Sequence, residues 1–155
     1  MANRKNLFIS HHSVDEPHIG KLKDLLSRKG YDVRNGSIDS TKPNAATNPE
    51  YIKSLLRPQV NWAGTLVCLI GRETANREWV NWEIKQAHLQ GKQIVGVFLH
   101  GGSDADVPEN LNKYGHSLVT WRGDDVIDAL EGDTKWCKDD GSERPNFAGI
   151  TRSTC

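Results

Sequence analysis

A chain of 155 residues fits one domain and is long enough to bury a core without covalent staples. Its 20 Lys and Arg balance 20 Asp and Glu, so no electrostatic argument favours a nucleic-acid partner, although a local basic pocket for an acidic substrate can hide inside a balanced total. The odd count of three cysteines, widely spaced and without C-x-x-C, argues against a disulfide framework or zinc site, and no run approaches the roughly 18 apolar residues of a membrane span or resembles a signal peptide, so the reducing cytoplasm is the expected compartment.

Strand and helix patterns alternate along the chain. Asn6-Leu7-Phe8-Ile9-Ser10 reads as a buried first strand. Ser13-Val14-Asp15-Glu16 carries an S-x-x-E capping pattern, and Pro17 is tolerable only near a helix start. Ile19, Leu22, Leu25 and Leu26 form the inner stripe of that helix. Gly30 closes it, with Arg28-Lys29 in the last turn, where cations suit the helix dipole. Residues 31–34 form a weaker second strand. Residues 35–49 are polar and turn-rich, and long loops in small domains tend to be functional.

A helix is expected from about residue 48 or 49 to Arg57, stopped by Pro58. Residues 64–70 carry the strongest strand pattern in the chain, with Cys68 inside it as a buried thiol. A third helix spans roughly residues 74–90 and ends at Gly91, before an apolar strand at 93–99. Beyond it the signal weakens to a fifth strand near 117–121 and a short helix at 124–130. Residues 1–131 thus form the domain, and 132–155 a polar extension with Trp136 and Phe147 as its only large anchors. Alternation with continuously apolar strands implies a parallel sheet covered on both faces, with the strands around Phe8 and Val67 near its centre. Ligands of such sheets bind at the carboxyl ends of the strands. That directs attention to Ser10, His11, His12, the loop starting at Asn35, Gly71-Arg72 and residues 100–104.

The third helix holds an anomaly. At about 100° per residue, Trp79, Val80, Ile84 and Ala87 make a core stripe. Glu83 lies inside it, where a carboxylate needs a partner or a purpose. It either pairs with an Arg or caps a buried amide, or it lines a cleft at the sheet edge. With a helix start at Asn76, Glu83 falls about 10 Å along the axis, below the strand rim unless the first turn is irregular. Trp82 lies well off the stripe, placed to flank a ligand, form an interface or pack under a loop.

Other motifs are absent. There is no G-x-G-x-x-G, no G-x-x-x-x-G-K-[ST], no G-x-S-x-G elbow, and no i, i+4 histidine pair for zinc. His11-His12 is a ligand contact or a plain surface or hinge pair.

Two blocks resemble a known family. Leu7-Phe8-Ile9-Ser10-His11-His12-Ser13-Val14-Asp15-Glu16 is similar to the F-I-S-x-x-x-x-D opening of TIR domains, and Asn76-Arg77-Glu78-Trp79-Val80-Asn81-Trp82-Glu83-Ile84 to their W-x-x-x-E-I helix. The form N-R-x-W-V-x-x-E-I, preceded by Leu69-Ile70-Gly71 and followed by Gly91-Lys92-Gln93-Ile94-Val95-Gly96-Val97, is especially similar to the TIR-like proteins of bacterial Thoeris antiphage systems. The resemblance covers about residues 6–100. It departs at Arg77, where many TIR domains carry Ser, and in the last third.

The resemblance implies a flavodoxin-like α/β fold with a five-stranded parallel sheet, and a loop at 35–49 that closes over ligand or meets a second protomer. It implies an enzyme that cleaves the nicotinamide–ribose bond of NAD⁺ and makes a linear, cyclic or conjugated ADP-ribose signal for a downstream effector. NAD⁺ is then substrate, and no cofactor is implied. The catalytic glutamate maps onto Glu83. Phe8, Ser10, His11, His12, Asn35, Trp79 and Trp82 are candidate substrate contacts. Two other classes stay open: a TIR-like adaptor acting only by TIR–TIR assembly, and a nucleoside deoxyribosyltransferase-like enzyme acting on free nucleosides.

Overall fold

The computed structural model describes residues 6–10, 16–35, 61–71, 78–99, 102–103, 106–138, 141–142 and 153–154. In chain order the elements are β1 (Asn6–Ser10), α1 (Glu16–Arg28), β2 (Asp32–Asn35), β3 (Thr65–Ile70), α2 (Glu78–Leu89), β4 (Gln93–Phe98), α3 (Glu109–Tyr114), β5 (Ser117–Val119), α4 (Gly123–Leu130), β6 (Lys135–Trp136) and β7 (Ser153–Thr154). The strands form one sheet in the order β2-β1-β3-β4-β5-β6-β7. Every pairing in it is parallel. The flavodoxin-like expectation holds for the α/β architecture, with seven strands among the described residues in place of five.

The strands read as unbroken apolar runs because both faces are covered. Phe8, Leu66, Ile94 and Leu118 point to one side, against Val80, Ile84 and Ala87 of α2 and Leu111 of α3. Leu7, Ile9, Val67, Leu69, Val95 and Val97 point to the other, against Leu22 and Leu26 of α1 and Val126, Ala129 and Leu130 of α4. Successive strand residues face opposite sides, so neither layer can form without the other. Burying each large aliphatic side chain contributes about 1.5–3 kcal/mol, set against the entropy of ordering the chain.

Glycine punctuation works as the sequence implies. Gly30 and Gly91 adopt φ of 85° and 69° just past α1 and α2. The N–H groups of Tyr31 and Lys92 then reach back to the carbonyls of Leu26 and Ala87, at 3.0 and 2.9 Å. Those of Gly30 and Gly91 reach Ser27 and His88. Both are Schellman closures, which need a left-handed residue that only glycine supplies without strain.

Several expectations shift. β2 starts at Asp32, one residue later than read. Asn61 and Trp62 are helical, beyond the stop assigned to Pro58; the expected helix itself lies outside the described residues, as do His11, His12, Phe147 and most of the 35–49 loop. β1 and β3 are adjacent interior strands, but β4 occupies the middle of the seven. The stretch after residue 131 supplies β6 and β7 to the sheet and buries Trp136 to 2% exposure. Cys137 is disulfide-bonded, which the odd, widely spaced cysteines do not announce, and Cys68 is buried as expected.

α3 was not legible, because Leu111 is its only buried residue. Long-range contacts hold it instead. Asn110 donates its backbone N–H to Asn81 Oδ1 at 3.0 Å and its side-chain amide to the Asn81 carbonyl at 2.7 Å. The rings of His88 and Tyr114 stack at 3.9 Å. Leu111 settles on the sheet at Gly96, where an added Cβ would stand 2.7 Å from Leu111 Cδ2 and 2.7 Å from Leu118 Cδ1. Gly96→Ala is therefore expected to overpack this layer and destabilise the fold by about 1–3 kcal/mol. A urea midpoint unchanged from wild type would show that α3 yields freely at this point.

Candidate active site

The carboxyl rim of a parallel sheet gathers strand ends and helix starts, because each crossover leaves there and returns along a helix. β1 ends at Ser10, which lies beside Cys68 of β3 in the ladder. α2 follows β3 and runs back across the face that carries Phe8 and Leu66. Its inner positions Val80, Glu83, Ile84 and Ala87 are all buried, so the stripe read from the periodicity is the stripe that packs.

Glu83 is 1% exposed. It lies about 7.5 Å along the axis from Glu78, the first described residue of α2. That depth coincides with the last residue of β1. Ser10 pairs with Cys68, two residues before β3 ends, so Glu83 is level with the end of β1 and below the ends of β3 and β4. Ser10 Oγ donates to Glu83 Oε1 at 3.0 Å, and both groups are buried. Glu83 Oε2 is buried as well and finds no hydrogen-bond partner among the described residues. The alternative of an Arg partner or a capped amide has no counterpart among those residues.

Burial pushes the Glu83 carboxyl well above the usual carboxylate range. The Ser10 hydroxyl, bonding to the charged form, pulls the other way with the smaller effect. In this arrangement the charged form is costly. A buried acceptor left unmatched costs about 1–3 kcal/mol, so the position is poor for stability and needs another justification.

The remaining candidates divide by placement. Phe8 is fully buried in the same core layer, two residues before Ser10 and on the same face of β1. Trp82 is half-buried and packs against that layer from its margin. Trp79 lies in α2, one residue before Val80. Asn35 ends β2 opposite Ile9, one strand from Ser10. His11 and His12 lie outside the described residues. Of the candidates, the structure brings Ser10 and Glu83 into contact. Cys68 was read only as a structural thiol, and its place beside Ser10 needed the β1–β3 register.

No described helix is long and apolar enough to cross a membrane. No curated protein matches the chain. The family model described as Thoeris protein ThsB, TIR-like domain, matches residues 8–104. That span opens inside β1, contains Ser10 and Glu83, and extends beyond β4. A parallel sheet with a buried carboxyl at its carboxyl edge and a family match over most of the chain lead to one assignment: this chain belongs to the Thoeris ThsB TIR-like domain family, and so to antiphage defence.

Proposed function

We propose that this TIR-like domain is an enzyme that cleaves the nicotinamide–ribose bond of NAD⁺ and produces an ADP-ribose-derived signal for a downstream effector. The observation that carries the reading is the Glu83 carboxyl, buried among apolar side chains with one oxygen held by Ser10 and the other unmatched. A domain that only assembles with its own kind has no use for so costly a group. A free nucleoside is the substrate of the rival glycosidic reading, and comparing it with NAD⁺ in one assay separates the two.

The chemistry asks little of the protein. Nicotinamide departs as a neutral molecule, so no general acid is required. Positive charge develops on the ribose, as in glycoside cleavage, and one carboxylate can stabilise it or grip the ribose hydroxyls. The surrounding apolar layer strengthens that interaction. The cationic nicotinamide ring favours the charged form of Glu83 on arrival, since an opposite charge nearby lowers a carboxyl pKa. The product is set by the nucleophile the closed site admits, whether water, an atom of the same molecule or a second acceptor. Self-association through the 35–49 loop is part of the proposal. Dilution is then expected to lower turnover per molecule, and full turnover from a strictly monomeric sample would contradict it.

Glu83→Gln keeps the shape and removes the charge. NAD⁺ cleavage, followed by mass spectrometry of the products with and without extract from phage-infected cells, is expected to fall about 100-fold or more, roughly 2.7 kcal/mol of barrier. Unchanged turnover per folded molecule would end the catalytic assignment.

The same variant gives a second signature. The folded-state pKa of Glu83 is raised, so its contribution to stability is fully present below the unfolded carboxyl pKa and is lost as pH rises through the folded value. Thermal melts across pH are thus expected to show Glu83→Gln gaining on wild type as pH increases through that window. A difference independent of pH would mean that burial does not disfavour the charged form.

A further inference from the structure

We propose that Ser10 is a positioning residue that acts through Glu83, holding one carboxyl oxygen so that the other is presented to the ribose; the proposal rests on the NAD⁺-cleaving reading above.

A serine hydroxyl has one proton to donate. Here that proton is directed to Glu83 Oε1, at 3.0 Å. Ser10 itself has 0% exposure. A hydroxyl committed in this way cannot donate to substrate at the same time, which moves Ser10 from substrate contact to support. The two oxygens of Glu83 are made unequal as a result. Oε1 is fixed, and Oε2 is buried without a hydrogen-bond partner among the described residues.

The support is rigid. Ser10 closes β1, whose neighbours β2 and β3 pair with it on both sides. Its Cα lies opposite that of Cys68. Glu83 is flanked on the same helix by Val80, Ile84 and Ala87, all of them buried. A carboxyl on a packed helix and a hydroxyl on an interior strand leave little freedom to either. Sites built on such elements are more exact than sites on loops. Among the described residues Ser10 donates to Glu83 Oε1, and a hydroxyl bonded in this way favours the charged carboxylate. It therefore does two things at once: it orients the carboxylate and makes its charged form easier to reach.

The test compares wild type, Ser10→Ala, Ser10→Thr, Glu83→Gln and the Ser10→Ala/Glu83→Gln double variant as full chains. Steady-state NAD⁺ cleavage is measured across pH. Ser10→Ala is expected to lower kcat about 10-fold with KM changed less than about twofold, the scale of losing a hydrogen bond to a charged group. The acid limb of its kcat/KM profile should move to higher pH. Ser10→Thr, which keeps a hydroxyl, should restore most of the rate. In the Glu83→Gln background Ser10→Ala should cost nothing further, because a residue acting through another loses its effect with it. A raised KM, or a full additional loss in the double variant, would overturn the proposal by showing direct contact with substrate.

A second measurement does not depend on turnover. The ¹³C-carboxyl resonance of Glu83, identified as the signal absent from Glu83→Gln, is titrated in wild type and Ser10→Ala. Its midpoint should rise in Ser10→Ala, and an unchanged midpoint would overturn the proposal whatever the kinetics. Loss of the enzymatic reading is distinguishable from either result. It would show as wild-type protein inert toward NAD⁺, or as Glu83→Gln retaining full turnover, with the titration still reporting on the Ser10 contact.

Discussion

A carboxyl group kept in an apolar layer sets the terms for everything around it. Glu83 must be buried to sense a low dielectric, and it must be held to be useful. Both conditions come from one helix lying on one strand. α2 supplies the burial through Val80, Ile84 and Ala87, and β1 supplies the hydroxyl that meets Oε1. Were α2 to slide by one turn, about 5.4 Å, the carboxyl would leave Ser10 and enter the core without any partner. The packing of α2 is thus under a chemical constraint as well as a hydrophobic one. Gly91 fixes where the helix ends, and Asn81 and His88 tie its outer side to α3.

Much of this was legible before any coordinates. Short continuous apolar runs that alternate with helical patterns fit strands covered on both faces, so Leu7-Phe8-Ile9 and Leu66-Val67-Cys68-Leu69-Ile70 pointed to a parallel sheet. The periodicity of α2 placed Glu83 among core positions, and a charged residue at a core position is visible in one dimension. What it touches is not. Ser10 and Glu83 are 73 residues apart, and their meeting depends on strand order, which no local pattern encodes. The same limit hid Cys68 beside Ser10.

The last third resisted reading for a different reason. α3 buries a single leucine and is held by Asn81, His88 and a gap at Gly96, all contributed from elsewhere. β6 and β7 are two residues each, too short for alternation to register. The bond at Cys137 has no signature in cysteine spacing, because counting speaks of frameworks and a single bond at a sheet edge is not one.

The strand order separates two regions of the molecule. β1, with Ser10, is one strand from one edge of the sheet; β6 and β7 form the other. At roughly 4.8 Å per strand β6 lies about 19 Å and β7 about 24 Å from β1, with the apolar strands β3, β4 and β5 between. Trp136 of β6 is buried in the same layer as Val80, Ile84 and Leu111, so the far edge meets the surroundings of the carboxyl through packed side chains as well as through the ladder. The far margin is thus tied to the layer that buries Glu83, and a change in the seating of Trp136 bears on the same packing that holds α2.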